Sequence, residues 1–333
     1  MTLSSEGMVR TWAHPTGEFP NPLSNDRHLQ QPEIWGRLEA RARIIGGIRA
    51  FFQHHQFLEV ETPLVVPSPG TEVHLAPTSV LQSERPGATQ VQRYLITSPE
   101  YHMKRLLAAG SPPIFQLCKT FRDGERGTHH RPEFTMLEWY RPWATLHTIL
   151  EDCEDLLKAL HPADSLTYRG ENIALSGPWP RHPFLRLLSE RAGINEPERL
   201  NPDEQLTAFV AHVEPRLGRG RPEFVTEYPI SMASLARPCP TDPAVAERSE
   251  LYVAGMEIAN AFGELVDADE QRQRCEADNI DRRELGLPEL PLDEDFLDSL
   301  TQGLPPSGGI ALGVDRLIML LTDSETIDEV ICF

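Results

Sequence analysis

The stretch FRDGERGTHHRPEFTMLEWY, residues 121–140, joins a basic loop to a segment with the alternation of a β-strand. Its first half carries five basic side chains within ten residues: Arg122, Arg126, His129, His130 and Arg131. Its second half is mainly apolar, but Glu138 lies in the middle of the apolar run. Because the whole chain has a formal net charge of −19, this local basic cluster indicates a particular site rather than a generally basic surface.

The strand predicted over PEFTMLEWY presents an unusual set of side chains on one face. Side chains alternate between the two faces of a strand, so Phe134, Met136, Glu138 and Tyr140 lie together. A hairpin with the preceding strand brings Arg122 beside Phe134. A nucleotide fits this strip, with its base on Phe134, its phosphates on Arg122 and the amine of a second substrate on Glu138, roughly 13 Å further along at ~3.3 Å per residue. The alternative is a half-buried amphipathic hairpin with a solvated basic loop.

Length and composition limit the possible classes of protein. The chain has 333 residues, of which 40% are hydrophobic and 24% charged, enough for one large core or two domains. Asp and Glu outnumber Lys and Arg by 50 to 31, which disfavours DNA and anionic membranes as partners. No apolar run approaches the ~20 residues of a membrane span, and the first residues lack a signal-peptide core, so we expect a cytoplasmic protein. The five cysteines form no CxxC pair, which indicates reduced thiols.

Hydrophobic periodicity predicts an α+β protein. Residues 1–30 have no apolar period and indicate a flexible arm, and a helix follows from Pro32 to about His54. Residues 57–64 read as a strand that Pro63 stops. Residues 66–90 read as a loop, and residues 161–220 as an insertion. The remaining order of hairpins and flanking helices favours an antiparallel sheet over a doubly wound parallel one.

The segment GMEIANAFGEL indicates a metal site. It lies in a region of strand character, residues 250–265, and holds Glu257 and Glu264 seven residues apart. A regular strand would place them on opposite faces, so a bend near Gly263 is needed to bring them together. Two carboxylates near phosphates are typical of Mg²⁺, which takes few protein oxygens and several phosphate oxygens. The alternative is an edge strand with exposed acids.

The segment GGIALGVDRLIML indicates a phosphate site. Arg316 lies at a predicted helix start, where the helix dipole and free N–H groups attract anions. The glycines before it, Gly308, Gly309 and Gly313, allow a close approach of the backbone. We expect Asp315 to cap the helix. The alternative for Arg316 is a surface salt bridge.

Together these stretches resemble the class II aminoacyl-tRNA synthetase catalytic core, and within it the lysyl branch. FLEVETP resembles motif 1, residues 121–140 resemble motif 2, and GGIALGVDRLIML resembles motif 3. SPEYHMKRL and EIANAFGEL are similar to the lysyl-type segments that surround the amino acid. The resemblance covers roughly residues 35–333 and predicts a catalytic domain over residues 31–333, formed by an antiparallel sheet flanked by helices.

The resemblance is most detailed to truncated lysyl-tRNA synthetase paralogues that attach (R)-β-lysine to elongation factor P. Only about 35 polar residues precede the core, so we expect no anticodon-binding domain, and tRNA is an unlikely partner. These relatives use ATP and Mg²⁺ to form an acyl-adenylate and transfer the acyl group to a lysine of elongation factor P. The alternatives are a paralogue that activates lysine for another acceptor and a non-catalytic regulatory subunit. The second is disfavoured because Arg122 and Arg316 are both present.

The resemblance assigns a role to each motif residue. At the nucleotide, Arg122 neutralises the α-phosphate, Phe134 stacks on adenine, and His130 and Arg316 meet the γ-phosphate. The resemblance implies further ATP contacts at Asp123, Gly124, Glu125, Glu257, Ile258 and Gly313. The metal ligands are Glu257 and Glu264. The amino-acid substrate is bound by Ser98, Pro99, Glu100, Glu138, Tyr140, Asn260, Glu264 and Ala311.

Two positions carry expectations of their own. The related motif 2 has Phe-Arg-x-Glu, with its Glu on the adenine amino group, where this chain has Gly124. Either Glu125 replaces that Glu, or selectivity for adenine rests on Phe134 and backbone groups. In motif 3 the resembling lysyl-tRNA synthetases have a glycine where this chain has Ala311, and we expect this methyl to favour the β-amino acid.

The resemblance also implies a homodimer. Motif 1 is a helix and a strand that pack on their two-fold mates. We expect the helix face formed by Ile45, Ile48 and Phe52 to supply the apolar area of that interface.

Overall fold

The structure, a computed structural model, describes residues 32–83 and 85–332, and the arm predicted for residues 1–30 lies outside them. The helices are α1 (Pro32–His54), α2 (Glu100–Ala108), α3 (Leu146–Leu160), α4 (Phe184–Ala192), α5 (Pro202–His212), α6 (Ala268–Glu284), α7 (Glu294–Gly303) and α8 (Val314–Leu321). The strands are β1 (Leu58–Glu59), β2 (Val65–Val66), β3 (Ser79–Ser83), β4 (Gln90–Leu95), β5 (Ile114–Phe121), β6 (Glu133–Pro142), β7 (Ser165–Tyr168), β8 (Glu171–Ala174), β9 (Arg181–Pro183), β10 (Glu223–Pro229), β11 (Pro238–Cys239), β12 (Asp242–Val253), β13 (Met256–Gly263) and β14 (Ser307–Gly313).

One nine-stranded sheet organises the fold. Its order is β1-β5-β6-β14-β13-β12-β10-β9, with β11 paired to β12. The pairs from β5 to β10 are antiparallel, while β1 and β9 join their neighbours in parallel at the two edges. The α+β class and the predominantly antiparallel sheet predicted from the hairpins are therefore confirmed.

The two faces of this sheet have different chemistry. On one face Leu137, Trp139, Ile310 and other apolar side chains pack against α1, α3 and α8 to form the main core. The other face carries polar residues in register across five strands. This central row, in which each residue is paired with the next, consists of Gln116, Glu138, Ala311, Asn260 and Glu250. Because directly paired residues project to the same side, the central row forms the floor of a polar site.

Three strand predictions need correction. The strand predicted over residues 57–64 shrinks to β1, which pairs with β5 only at Leu58 and Glu59. The predicted loop over residues 66–90 contains β3, which sequence patterns miss because its side chains are mostly exposed and show no alternation. Residues 250–265 contain the end of β12 and the whole of β13. These strands are joined by a two-residue turn at Ala254 and Gly255, both with positive φ.

The segment predicted as an insertion contains both separate and shared structure. Within residues 161–220, β7 and β8 form a two-stranded sheet of their own. Helices α4 and α5 enclose a small core in which the Phe184 and Phe209 rings stack at 4.7 Å between centroids. Strand β9, however, pairs with β10, so part of this segment continues the main sheet.

Helix α1 has the predicted length but not the predicted free face. Ile48 and Phe52 are fully buried in the main core of their own chain, and Ile45 is half-buried against it. The prediction that this face supplies a dimer interface is therefore wrong for Ile48 and Phe52. Exposed apolar side chains near the end of α1 are instead Leu58 and Leu64.

Residues 32–83 and 85–332 contain no helix that is long and apolar enough to cross a membrane. In the same residues no disulfide joins any of the cysteines, as expected from their spacing.

Candidate active site

Glu138 stands at the centre of the polar site and is nearly fully buried in β6. Its Oε1 accepts a hydrogen bond from Ser98 Oγ at 2.6 Å, and its Oε2 accepts one from Tyr140 Oη at 2.8 Å. The shared face predicted for Glu138 and Tyr140 is thus confirmed. Burial and the nearby Glu100 carboxylate raise the pKa of Glu138, although both hydrogen bonds oppose the shift. A bound cation would therefore stabilise the ionised form of this carboxylate.

The start of α2 supplies the second carboxylate. Pro99 is the N-cap of α2, which begins at Glu100. Ser98 Oγ accepts a hydrogen bond from the Glu100 backbone N–H at 3.1 Å. The same hydroxyl therefore fixes the helix start and holds Glu138.

Lys104 is a site residue that sequence reasoning missed. Its side chain is fully buried, and its Nζ lies 2.5 Å from Glu100 Oε1 and 2.6 Å from Glu264 Oε2. Burial alone would lower the pKa of Lys104, but the two carboxylates raise it, so the ammonium stays charged. The available signal was the four-residue spacing of Glu100 and Lys104, which places both on one face of a helix.

Gly309 makes room for two of these side chains. A Cβ atom at this position would collide with the Tyr140 ring and with Glu264 Oε1. The close approach predicted for the glycines of β14 therefore occurs at Gly309, where it allows the phenol and the carboxylate to meet across the strand. Burial raises the pKa of Glu264 while Lys104 opposes the shift.

The amino-acid end of the site has more acids than bases. Three buried or half-buried carboxylates, Glu100, Glu138 and Glu264, lie around the Lys104 ammonium. Desolvated carboxylates are stabilised by paired cations. A substrate with two ammonium groups would complete the pairing, and a neutral or anionic one would not.

The central row continues this floor towards β13. Ala311 pairs with Glu138 on one side and with Asn260 on the other. The Asn260 Oδ1 atom is buried without a hydrogen-bond partner among the described residues. A methyl group therefore separates a carboxylate from an unsatisfied amide, and the amide is suited to a polar group of a ligand.

The nucleotide end has the geometry predicted for the hairpin. The Arg122 guanidinium lies 5.2 Å from the centroid of the Phe134 ring, and the Arg122 N–H donates to Pro132 O at 2.8 Å. Gly124 has φ +76°, so a glutamate at this position would be strained. The Glu125 carboxylate lies 3.8 Å from Arg122 at the same end of the site.

The Asp123 side chain organises the turn. Its Oδ1 accepts a hydrogen bond from the Gly124 N–H at 2.9 Å. The backbone N–H of Asp123 donates to Ala76 O at 2.7 Å. The exposed carboxylate is therefore used by the loop itself, and a direct contact of Asp123 with ATP stays a prediction.

Arg316 faces this loop from the start of α8, whose N-cap is Gly313. It donates to Glu257 O at 2.8 Å, and its Nη2 contacts His130 Nε2. Burial and Arg316 lower the pKa of His130 to about 4, so the imidazole is neutral at pH 7. The two predicted contacts of the γ-phosphate are thus adjacent.

Asp315 does not cap α8 as expected. Its buried carboxylate accepts a hydrogen bond from the Thr135 N–H at 2.7 Å and pairs with Arg41 Nη1 at 2.5 Å. It therefore ties α8 to β6 and α1, which fixes Arg316 relative to Phe134.

The predicted metal pair is divided between two environments. Glu264 is fully buried on Lys104, whereas the Glu257 side chain is 38% exposed and lies 3.6 Å from Arg316. Burial and then the nearby Glu250 carboxylate raise the pKa of Glu257, so Glu250 rather than Glu264 is its acidic neighbour. Within residues 32–83 and 85–332 no group of three or more His, Cys, Asp or Glu side chains is arranged to hold a metal ion.

The bend predicted near Gly263 lies elsewhere in β13. The register with β12 shifts between the pairs Leu251–Ala259 and Tyr252–Glu257, so Ile258 is the extra residue of a bulge. The bulge turns Glu257 to the side of Asn260. The Ile258 side chain is buried in the main core, which leaves its main chain to face the site, and a contact of Ile258 with ATP stays a prediction.

The chain belongs to the class II tRNA synthetases of the D, K and N type, whose family model matches residues 25–333. Its relatives include the elongation factor P–(R)-β-lysine ligase of Erwinia tasmaniensis, which is 44% identical over 93% of this chain and 98% of that protein. A ligase of the same name from Pectobacterium carotovorum is 45% identical over 93% of this chain and 98% of the relative. One from Salmonella typhi is 44% identical over 97% of both chains. The resemblance read from the motifs is therefore confirmed.

Proposed function

We propose that this chain is a ligase that activates (R)-β-lysine with ATP and transfers it to a lysine side chain of elongation factor P. The observation that carries the proposal is the surplus of desolvated carboxylates around Lys104, next to the strip formed by Phe134 and Arg122. Membership of the class II synthetases and the names of the relatives support ATP use, the amino acid and the acceptor.

Substrate binding would use both ends of the site. The terminal ammonium of β-lysine binds Glu138 and the Tyr140 hydroxyl, which already form one polar unit. Glu100 and Glu264 are paired with Lys104, and the net negative charge of this group attracts the second ammonium. The substrate carboxylate lies near Asn260 and points towards Arg122.

Activation joins the substrate carboxylate to the α-phosphorus. A carboxylate oxygen attacks phosphorus, the bond to the bridging oxygen of the β-phosphate breaks, and pyrophosphate leaves with the electron pair. Negative charge grows on the α-phosphate oxygens, where Arg122 stabilises it. No general base is needed because the nucleophile is already ionised. His130 and Arg316 would hold the γ-phosphate, the neutral imidazole as a hydrogen-bond donor.

Mg²⁺ would offset the charge of the triphosphate. Glu257 fits this ion because its carboxylate is partly exposed beside Arg316, and Mg²⁺ prefers one or two protein carboxylates together with phosphate oxygens. Glu250 fits less well because both oxygens already accept hydrogen bonds from Arg248, Tyr228 and Tyr252. Glu264 is committed to Lys104.

Transfer to the acceptor completes the reaction. The neutral ε-amine of an acceptor lysine attacks the carbonyl carbon of the adenylate. The bond from that carbon to the phosphate oxygen breaks, AMP leaves, and the new amide loses one proton. We place this reaction in the cytoplasm and propose no role for tRNA, DNA or a membrane.

The decisive experiment is ATP–pyrophosphate exchange with (R)-β-lysine, with α-lysine and without amino acid, followed by mass analysis of elongation factor P. We expect fastest exchange with (R)-β-lysine and a mass increase of one β-lysyl group on elongation factor P, but no acylation of tRNA. Exchange with neither isomer would contradict the proposal.

We also propose a homodimer. The resemblance of FLEVETP to motif 1 supports it, and Leu58 and Leu64 leave apolar area exposed in the segment that follows α1. Sedimentation equilibrium at micromolar concentration should give twice the 37.5 kDa of the chain, and a monomer alone would contradict this proposal.

A further inference from the structure

Glu72, on the loop between β2 and β3, lines the amino-acid end of the site, although no motif includes it. It borders a small cavity together with Ser98, Glu100 and Tyr101. Its carboxylate folds back against the α-carbon of Gly70, where any Cβ atom would collide with Glu72 Oε2. The loop therefore fixes the direction of this carboxylate.

Glu72 lies within the electrostatic reach of both ends of the site. Burial raises the pKa of Glu72 and a hydrogen bond with its own backbone lowers it, while Glu100 and Asp278 raise it and Arg122 lowers it, so that the pKa lies at about 7. Within the described residues the Glu72 carboxylate forms no ion pair, and its hydrogen bond is to its own backbone. A half-buried carboxylate without a cation, beside a small cavity and within electrostatic reach of Glu100 and Arg122, can bind a cationic group of a ligand.

Helix α6 holds this loop in place. Arg282 is 2% exposed, and its Nη1 donates to the carbonyl oxygens of Glu72, Val73 and Leu75 at 3.1, 3.2 and 3.1 Å. Thr71 Oγ1 donates to Asp278 Oδ2 of the same helix at 2.9 Å. A buried guanidinium that satisfies three loop carbonyls restricts the backbone on which Glu72 stands.

We propose that Glu72 binds the substrate ammonium nearest to the reacting carboxylate, and that Arg282 is the residue that positions it. The inference rests on the proposed function, because it uses that function's assignment of the terminal ammonium to Glu138 and Tyr140. The second ammonium of β-lysine lies three bonds from the carboxylate carbon, and that carboxylate must meet the α-phosphate at Arg122. A carboxylate within electrostatic reach of both Glu100 and Arg122 is therefore near this ammonium and can distinguish where it is attached.

The test compares two ligands that differ in this ammonium. (R)-β-Lysine carries both amines, and 6-aminohexanoate keeps the terminal amine but lacks the other. Calorimetry, direct or by competition, gives the dissociation constant of each ligand. In Glu72→Gln we expect the dissociation constant of (R)-β-lysine to rise about tenfold to a hundredfold, as for a lost charged hydrogen bond. The dissociation constant of 6-aminohexanoate should stay within about twofold. Glu276→Gln, which removes an exposed carboxylate on α6, is the matched control and should change neither.

The positioning role of Arg282 has its own readout. Arg282→Lys should weaken the binding of (R)-β-lysine more than the binding of 6-aminohexanoate. Thermal unfolding of the variant with bound ATP shows whether the fold persists. If Glu72→Gln weakens the binding of both ligands equally, the role of Glu72 is overturned while the proposed function stays intact. Failure of the unaltered enzyme to bind (R)-β-lysine would overturn the proposed function itself.

Discussion

The two ends of the active site differ in the burial of their charged side chains and in how these charges are paired. At the amino-acid end, the Lys104 and Glu264 side chains are 0% exposed and are paired within the protein. At the nucleotide end, the Arg122 and Arg316 side chains are 26% and 21% exposed and lie on a loop and at a helix start. Buried charges are costly unless paired, whereas partly solvated cations are not. The amino-acid end therefore belongs to the folded core, and the nucleotide end is an open set of cations.

This difference predicts where mutations act. Changes at the buried end should affect folding stability and the choice of amine. Changes at the open end should affect the rate of adenylate formation and leave stability nearly unaltered.

The largest expected effect is on stability, in Lys104→Met. Removing the ammonium leaves the buried Glu264 carboxylate without its cation, a change that typically costs about 3–5 kcal/mol. Urea unfolding should show this loss. The matched control is Lys158→Met, because Lys158 forms the same four-residue pair with Glu154 but is 41% exposed, and it should lose about 1 kcal/mol or less. Equal losses in both variants would remove the distinction between a buried and an open end.

The next effect is on rate, in Arg122→Ala. Charge grows at the α-phosphate only in the transition state, so kcat for adenylate formation should fall by about 10²–10³. Stability should change little because the side chain is partly solvated. Arg126→Ala, in the same loop but exposed, is the control and should keep kcat. An unchanged kcat with a raised KM for ATP would instead assign Arg122 to ground-state binding.

The sequence and the structure agree best where local patterns decide the outcome. The hairpin of β5 and β6 follows from alternation, and it placed Arg122 beside Phe134 as predicted. For Lys104 the local spacing indicates only the pair with Glu100, because its second partner, Glu264, lies 160 residues away in sequence. The neighbour of Glu257 was wrong for a similar reason, since a one-residue bulge in β13 decides which carboxylate it faces.

Selectivity for the terminal amine gives the third comparison, in Glu138→Gln. The ammonium of the substrate would lose a desolvated partner, a contact worth about 1.5–3 kcal/mol. Activation of lysine should therefore fall relative to activation of norleucine, which lacks that amine, in pyrophosphate exchange. Glu133→Gln, an exposed position of the same strand, should keep the ratio. An unchanged ratio in Glu138→Gln would make Glu138 a structural residue.

The smallest expected effect concerns one methyl group, in Ala311→Gly. The register places Ala311 between Glu138 and Asn260, which are the proposed contacts of the terminal amine and the carboxylate. Moving the amine from the α to the β carbon changes the bulk next to that carboxylate, and the methyl can reject α-lysine where it accepts the β-isomer. A misfit of this size is worth about 1–3 kcal/mol.

The variant should therefore raise α-lysine activation relative to (R)-β-lysine by roughly tenfold, as ~1.4 kcal/mol gives. Pyrophosphate exchange with both isomers measures this ratio. Ala259→Gly is the control, because it removes a methyl that faces the main core, and it should lower stability without changing the ratio. If the ratio is unchanged in Ala311→Gly, the selecting wall lies elsewhere. The next candidates are Ala233 and Ala236, both buried, because Ala236 pairs directly with Glu264 at the amino-acid end.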